Sequence, residues 1–431
     1  MTRVPSLFCA PTMWRQRAAY ELTNDFVRII TLAGGGHIAD FSFRDRTGFP
    51  SLNPLWTPPW KTIDPYRYRA KLHAREYGPQ RDGHLLCGLA GHNLCLDYFG
   101  PPSDEEARMG LSFHGEAPNL KWRKENRRVG GGRAELTVFV RLPIAGLDFR
   151  RKIEMRLDEP VAYFTETVEN RKPADHFFQW AEHVTLGPPF LSAKESYVVI
   201  PATTGMSDPG GYDEGRALLA PGRWFRWPTA PTASGGSVDL ARPLARKGLG
   251  FVSTLLLDPR RELGFVAAVN TRLRLLIGYC FARRDFPWVA LWDENCAIQA
   301  PPWKQRTQAR GLEFSTTPFP SGRRVAFSRG SLFGVPTLTY LPARQSKTVH
   351  YAAFLAHLPE DFGQVRDILA FPGTIEVRGS GRRKLCLSAA GWGANGRSGS
   401  ATGPGPGQLD LISIGTVEGN PTWLIHRGWP W

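Results

Sequence analysis

Three short segments of the chain combine histidine or carboxylate side chains with glycine, proline and aromatic residues. They span residues 112–119, 180–189 and 310–320. A histidine can act as a general acid and a carboxylate as a general base, so these segments could supply acid–base chemistry. The candidate catalytic residues are His114, His183 and Glu313. Each lies next to a turn at the end of a predicted strand, a common place for functional residues.

The elements that must position these residues are predicted to be β-strands. Apolar and polar side chains alternate with a period of two over many short stretches, as in half-buried antiparallel strands. The predicted strands are 135–142, 147–157, 161–169, 177–186, 250–257, 264–269, 273–281, 288–292, 312–315, 333–341 and 349–356. Short helices are predicted only at 105–109 and 358–369. Many strands separated by Gly and Pro predict an all-β protein, a large antiparallel sandwich with few short helices.

The strands extend over most of the chain without a clear linker. We therefore predict one sandwich domain over residues 1–358 and a C-terminal extension over 359–431, with a flexible Gly-rich segment near 393–408. The stretch 205–248 is rich in Gly, Pro and Arg and predicts a long loop. We hypothesise that this loop closes over a binding site as a lid.

Composition and charge argue against several classes of protein. The 431 residues include 54 Lys or Arg and 39 Asp or Glu, a formal net charge of +15. The arginines are scattered in pairs rather than concentrated on one element, so we expect no nucleic-acid partner. No stretch approaches the ~20 apolar residues of a membrane-spanning helix, so we expect no membrane association. Six sparse cysteines and no recognisable secretory signal favour a reduced, cytoplasmic protein.

One group of residues could bind a metal. His84 and Cys87, and then His92 and Cys95, form two His-x-x-Cys units whose side chains suit tetrahedral zinc. The small apolar residues between the two units make the spacing shorter than in usual zinc loops. We therefore expect no metal and no other cofactor.

The order of the motifs resembles that of the galactose mutarotase-like superfamily, which includes the aldose 1-epimerases. The opening segment 20–43, with its Gly34-Gly35-Gly36-His37 turn, is similar to the first strands of that family. Three motifs resemble the segments with the family's functional residues: His114-Gly115, Glu182-His183-Val184-Thr185-Leu186 and Gly311-Leu312-Glu313-Phe314. The resemblance covers about residues 15–358 and rests on the order and spacing of short motifs.

The resemblance implies a β-supersandwich that interconverts the anomers of a sugar or sugar derivative without a cofactor. Glu313 would remove the proton from the C1 hydroxyl, and His183 would protonate the ring oxygen. His114 would position the substrate. We therefore expect an isomerase of the aldose 1-epimerase type.

Polar and aromatic residues near the motifs are candidates for binding the substrate. The apolar face of a pyranose stacks on indole rings, and its hydroxyls need polar partners. The predicted substrate-binding residues are His92, Asn93, Glu116, Trp292, Trp303 and Arg310. Asn93 matches a family asparagine, whereas the family's arginine has no counterpart in 87–95. The family's binding aspartate could correspond to Asp208 or Asp213.

Two other functions stay open from the sequence. A non-catalytic carbohydrate-binding protein would not need both an acid and a base. A glycoside hydrolase or lyase could use a carboxylate pair such as Glu116 and Glu313, whose separation would decide the stereochemistry. In each case the partner is a saccharide, and we expect a monomer or homodimer.

Overall fold

A computed structural model of the chain describes residues 7–213 and 215–393, without the side chain of Arg46. The described residues form 28 strands and four α-helices. The helices are α1 Ala70–Tyr77, α2 Gln80–Leu86, α3 Asp104–Arg108 and α4 Gly322–Arg329. In chain order the strands are β1 Phe8–Trp14, β2 Arg17–Thr23, β3 Val27–Leu32, β4 Ile38–Phe43, β5 His92–Cys95, β6 Arg123–Gly130, β7 Arg133–Leu142, β8 Leu147–Arg156, β9 Val161–Asn170, β10 His176–Phe178, β11 Ala181–Leu186, β12 Ser196–Val199, β13 Ala202–Ser207, β14 Trp224–Arg226, β15 Thr229–Pro231, β16 Ser237–Asp239, β17 Leu249–Leu257, β18 Leu263–Asn270, β19 Leu275–Ala282, β20 Trp288–Asn295, β21 Gln308–Ser315, β22 Ser331–Leu332, β23 Val335–Pro336, β24 Thr339–Leu341, β25 Ser346–His357, β26 Val365–Phe371, β27 Gly373–Gly379 and β28 Lys384–Ala389.

Two large sheets make up the sandwich. The first sheet has 13 strands in the order β1-β2-β3-β4-β5-β11-β21-β20-β17-β13-β14-β15-β16. The second sheet has eight, in the order β12-β18-β19-β25-β9-β8-β7-β6. Their long antiparallel strands confirm the predicted all-β supersandwich with few short helices.

The core lies between the facing sides of the two sheets. Strand β8 shows how its sequence produces this layer, because alternate side chains point to one face. Phe149, Ile153 and Met155 on that face are fully buried in the main apolar cluster. Arg151 lies on the same face and is also fully buried, among polar partners considered below.

The second sheet is covered on its other side by a small sheet of strands β26, β27 and β28. Ile368, Ile375 and Val377 pack there against Leu276 and Phe354 of the second sheet. The helix predicted at 358–369 is therefore wrong, because antiparallel pairing with β27 defines a strand from Val365. The boundary near 358 stays a prediction, and the predicted Gly-rich segment lies outside the described residues after 393.

The outer face of the first sheet is covered by helices and by the segment 205–248. Helix α3 confirms the helix predicted at 105–109, whereas α1, α2 and α4 had no clear periodic signal. The stretch 205–248 is not one long loop, because it contains the short strands β14, β15 and β16 that extend the first sheet. Over the described part of the chain, no helix has the length and apolar character to cross a membrane.

Candidate functional site

Neighbouring strands bring His183 and Glu313 together on the outer face of the first sheet. His183 on β11 stands directly opposite Glu313 on β21, and Asn93 on β5 stands opposite His183 on the other side. Directly opposed residues of antiparallel strands point to the same face. As a result, His183 Nε2 lies 3.1 Å from Glu313 Oε1.

A glycine makes room for the Glu313 carboxyl group. Gly311 lies two positions before Glu313 and so on the same face of β21. A Cβ atom at position 311 would overlap Glu313 Oε1. That oxygen is buried and makes no aligned hydrogen bond, so it is free to accept one from a ligand.

His114 reaches the same place from a tight turn. The backbone φ angle is +66° at His114 and +83° at Gly115. Both values lie in the left-handed region, which glycine adopts readily, so Gly115 suits the second position of the turn. The Gly100 N–H donates to His114 Nδ1 at 3.1 Å, which places the proton of the neutral ring on Nε2. The rings of His114 and His183 lie 5.2 Å apart, centroid to centroid. His114 thus offers a fixed donor beside the His183–Glu313 pair.

These three side chains line one pocket whose other walls are apolar. Its remaining lining residues are Leu85, Leu86, Leu89, Phe113, Val252, Trp292, Trp303 and Pro320. Helix α2 and the turn after it supply the three leucines that cover the pocket. His114 and His183 are each 5% exposed and Glu313 is 1% exposed, so all three side chains are shielded from water.

Burial decides the protonation of this trio. It raises the pKa of Glu313 well above its ordinary value, because a buried carboxylate loses its hydration. Burial also lowers the pKa of His183 to about 3 and that of His114 well below its ordinary value. The neutral forms of all three side chains are therefore favoured in the free protein.

The segment 205–248 supports the pocket wall through Tyr212, which contacts a lining residue but does not itself line the pocket. Trp292 Nε1 donates to the Tyr212 hydroxyl at 3.2 Å, and that hydroxyl donates to Glu294 Oε2 at 2.6 Å. Burial raises the pKa of Glu294 to about 7. The Trp292 ring lies 5.9 Å from the His183 ring, so Tyr212 and Glu294 fix an indole beside the reactive pair. Tyr212 was not identified from the sequence, where no motif distinguishes it.

The two aspartates weighed from the sequence differ in environment. Asp208 is buried, its backbone N–H donates to the Val252 carbonyl at 3.0 Å, and its Oδ2 has no hydrogen-bond partner. Burial raises its pKa to about 6. Asp213 is partly exposed and pairs with Arg216 at 3.5 Å. Asp208 lines a separate cavity with Tyr212 and Val252, and it does not line the pocket that contains Glu313.

Trp292 and Trp303 are the predicted substrate-binding residues that line the pocket. His92 does not, because it faces the core, where its Nε2 contacts Glu182 Oε2 at 2.7 Å. Arg310 is also fully buried on the core side and pairs with Asp293 at 2.7 Å. The alternation of side chains along a strand explains both positions. His92 is one residue before Asn93, which shares the face of His183, and Arg310 is three residues before Glu313. An odd separation along a strand places two side chains on opposite faces.

Glu116 and Asn93 also have partners other than the pocket. The Glu116 carboxylate accepts the backbone N–H groups of Ile144 and Ala145 at 3.2 and 2.7 Å. Asn93 shares the face of His183, but its amide nitrogen contacts Cys95 Sγ at 3.7 Å and it does not line the pocket. Glu116 therefore does not line the pocket with Glu313.

The four residues considered for zinc are not arranged around a metal. His84 and Cys87 lie in and after helix α2, and His92 is bonded to Glu182. Within residues 7–213 and 215–393, no group of three or more His, Cys, Asp or Glu side chains could hold a metal ion.

Comparison with known proteins identifies the fold. No protein-family model and no curated protein sequence matches the chain. A provisional aldose 1-epimerase from Klebsiella pneumoniae superposes with a TM-score of 0.59 and 13% identity, over 81% of this chain and 82% of that one. A galactose mutarotase-like protein from Clostridium acetobutylicum gives 0.55 and 13% identity, over 82% and 99%. A provisional mutarotase from Salmonella typhimurium gives 0.52 and 9% identity, over 82% and 97%. These similarities confirm the resemblance at the level of the fold.

Proposed function

We propose, for this chain with its galactose mutarotase-like fold, that the pocket interconverts the anomers of a sugar. Glu313 is the base and His183 the acid. The observation that carries the proposal is the 3.1 Å contact between His183 Nε2 and Glu313 Oε1 in a shielded pocket. Opening a cyclic hemiacetal removes a proton from the C1 hydroxyl and adds one to the ring oxygen. Both oxygens are bonded to C1, so an adjacent acid and base can reach them together.

The reaction moves protons without changing the charge of the pair. In the free protein the proton is on Glu313 and His183 is neutral, since burial favours both neutral groups. The reactive form has this proton on His183 instead and contains the same number of protons. Glu313 then takes the C1 hydroxyl proton while His183 gives its proton to the ring oxygen. After rotation about C1–C2, ring closure on the other face reverses the two transfers.

Other groups in the pocket support the substrate. His114 Nε2–H donates to a sugar oxygen near the reactive carbon, and the Trp292 ring supports an apolar face of the sugar. A lid role for 205–248 stays a prediction, supported by the contact of Tyr212 with Trp292. Cytoplasmic location and a monomeric or dimeric state stay predictions as well.

The test is anomer exchange followed by NMR saturation transfer over a panel of aldoses, including deoxy and acidic sugars. We expect exchange with the wild type and a loss of ~10²–10⁴-fold with Glu313→Gln, the range for removing a general base. Glu360→Gln, at an exposed position after β25, is the matched control and should exchange as the wild type does.

Two further outcomes decide the proposal. Catalysed exchange should have a broad plateau with pH, because the reactive form and the resting form contain the same number of protons. Full activity of Glu313→Gln would overturn the assignment. Ligand signals that broaden without exchange for any sugar would instead identify a carbohydrate-binding protein.

A further inference from the structure

We infer that the substrate is an aldose with few free hydroxyls, in which some are missing or O-methylated. This inference rests on the proposed function and concerns the specificity of the same pocket. It follows from the side chains that face the substrate beyond the reacting carbon.

The pocket has few groups that can bind hydroxyls. Its three ionisable side chains, His114, His183 and Glu313, are engaged around C1 and the ring oxygen in the proposed reaction. The rest of the described wall is leucine, phenylalanine, valine, proline and tryptophan. A sugar hydroxyl facing Leu89, Phe113 or Val252 would leave water without gaining a hydrogen bond there.

Polar side chains that could have served those hydroxyls are committed elsewhere. Arg310 pairs with Asp293 on the core side of the first sheet. His92 bonds to Glu182 in the same core. Glu116 is bonded to two backbone N–H groups of another turn. None of these three can turn to the pocket without breaking a buried interaction.

The pocket still offers one more donor. Trp303 lines it, is 2% exposed, and its Nε1–H has no hydrogen-bond partner. An ether or hydroxyl oxygen would satisfy this donor. An O-methyl group can therefore present an acceptor oxygen while its methyl carbon packs on the apolar wall, whereas a free hydroxyl also brings an O–H donor that needs an acceptor.

Matched sugar pairs test the inference directly. We would measure Glu313-dependent exchange for D-galactose and 6-deoxy-D-galactose, and for D-glucose, 6-deoxy-D-glucose and 3-O-methyl-D-glucose. We expect kcat/KM to be roughly tenfold to a hundredfold higher for at least one modified sugar than for its parent, the usual range when an apolar pocket discriminates by one small group. The deoxy and O-methyl arms distinguish a missing hydroxyl from a capped one.

A variant of the wall gives a second measurement. Val252→Thr keeps the side-chain shape and replaces a methyl group with a hydroxyl. It should therefore raise kcat/KM for the parent sugar and reduce the preference for the deoxy or O-methyl sugar over that parent. Val129→Thr, at an exposed position of β6 away from the pocket, is the matched control and should leave the preference unchanged.

The outcomes separate this inference from the proposed function. Glu313-dependent exchange that is as fast or faster for every parent sugar would overturn the inference and leave the function standing. An unchanged preference in Val252→Thr would show that the apolar wall does not set specificity and would also overturn it. Absence of Glu313-dependent exchange for all sugars would overturn the proposed function, and the inference with it.

Discussion

Replacing Arg151 with methionine should lower the free energy of unfolding by about 3–5 kcal/mol, the range for removing one partner of a buried ion pair. Arg151 is fully buried between the sheets. It donates to Glu166, to Glu182 Oε2 at 2.9 Å and to the Gly36 carbonyl at 3.0 Å. Methionine fills similar space but has no donor, so it leaves a buried carboxylate without its cation.

The protonation of the neighbours sets the size of the loss and its pH dependence. Burial raises the pKa of Glu166 to about 8, and the Arg151 charge opposes this rise. Burial and the Arg151 charge together lower the pKa of His92 to about 3. Without Arg151, the pKa of Glu166 should rise further, because the cation that opposed the effect of burial is gone.

The sign of the pH effect follows from Glu166. A carboxyl group whose folded-state pKa is raised contributes stability at low pH that declines as the pH rises to the folded-state pKa. In Arg151→Met this decline should continue above about pH 8, so the deficit relative to the wild type should grow there.

The assay is urea unfolding of Arg151→Met beside a control on the same strand. Arg150→Met removes a neighbouring arginine whose side chain is 42% exposed and pairs with Glu125 at 3.0 Å. Its cost should stay below about 1 kcal/mol, as for other surface ion pairs. Adding Glu182→Gln to Arg151→Met should cost less than the sum of the two single variants. A loss below about 1 kcal/mol for Arg151→Met, or strict additivity, would refute the reasoning.

Three further predictions concern the site. Glu313→Gln should raise thermal stability by an amount that grows from about pH 5 to about pH 8, because burial raises the Glu313 pKa and that group's contribution to stability declines as pH rises. A melting difference that is independent of pH would contradict this. Tyr212→Phe removes the hydroxyl between Trp292 and Glu294 and should cost about 1–2 kcal/mol in urea unfolding; an unchanged midpoint would show that the link is not formed. Gly115→Ala should cost about 1–3 kcal/mol or more, because its φ is +83° and a Cβ there overlaps a carbonyl oxygen; wild-type stability and exchange would contradict the described turn.

Much of the fold could be predicted because strand alternation is a local property. The predicted strand 147–157 matches β8, and its buried face was already visible in the alternation of Phe149, Ile153 and Met155.

Predictions of secondary structure failed where the local sequence signal was weak. The segment 358–369 was read as helical, yet β26 is held by pairing with β27 and by contact with the second sheet. Helices α1 and α2 have mostly polar sequences, and their few buried apolar side chains, Tyr77, Leu85 and Leu86, are held by a tertiary cluster.

The sequence by itself supplied candidate residues for acid–base chemistry and, through the alternation of side chains along a strand, indicated which neighbours share a face with them. His183 and Glu313 were candidates from their motifs, and the position of Arg310, three residues before Glu313 on the same strand, already indicated the opposite face. Only the tertiary structure decided that His183 and Glu313 lie in register, 130 positions apart in sequence, and that Arg310 is bonded to Asp293 in the core. Strand pairing over such separations depends on the packing of the whole sandwich. Backbone hydrogen bonds are the same whichever strand is paired, so they do not by themselves select a partner.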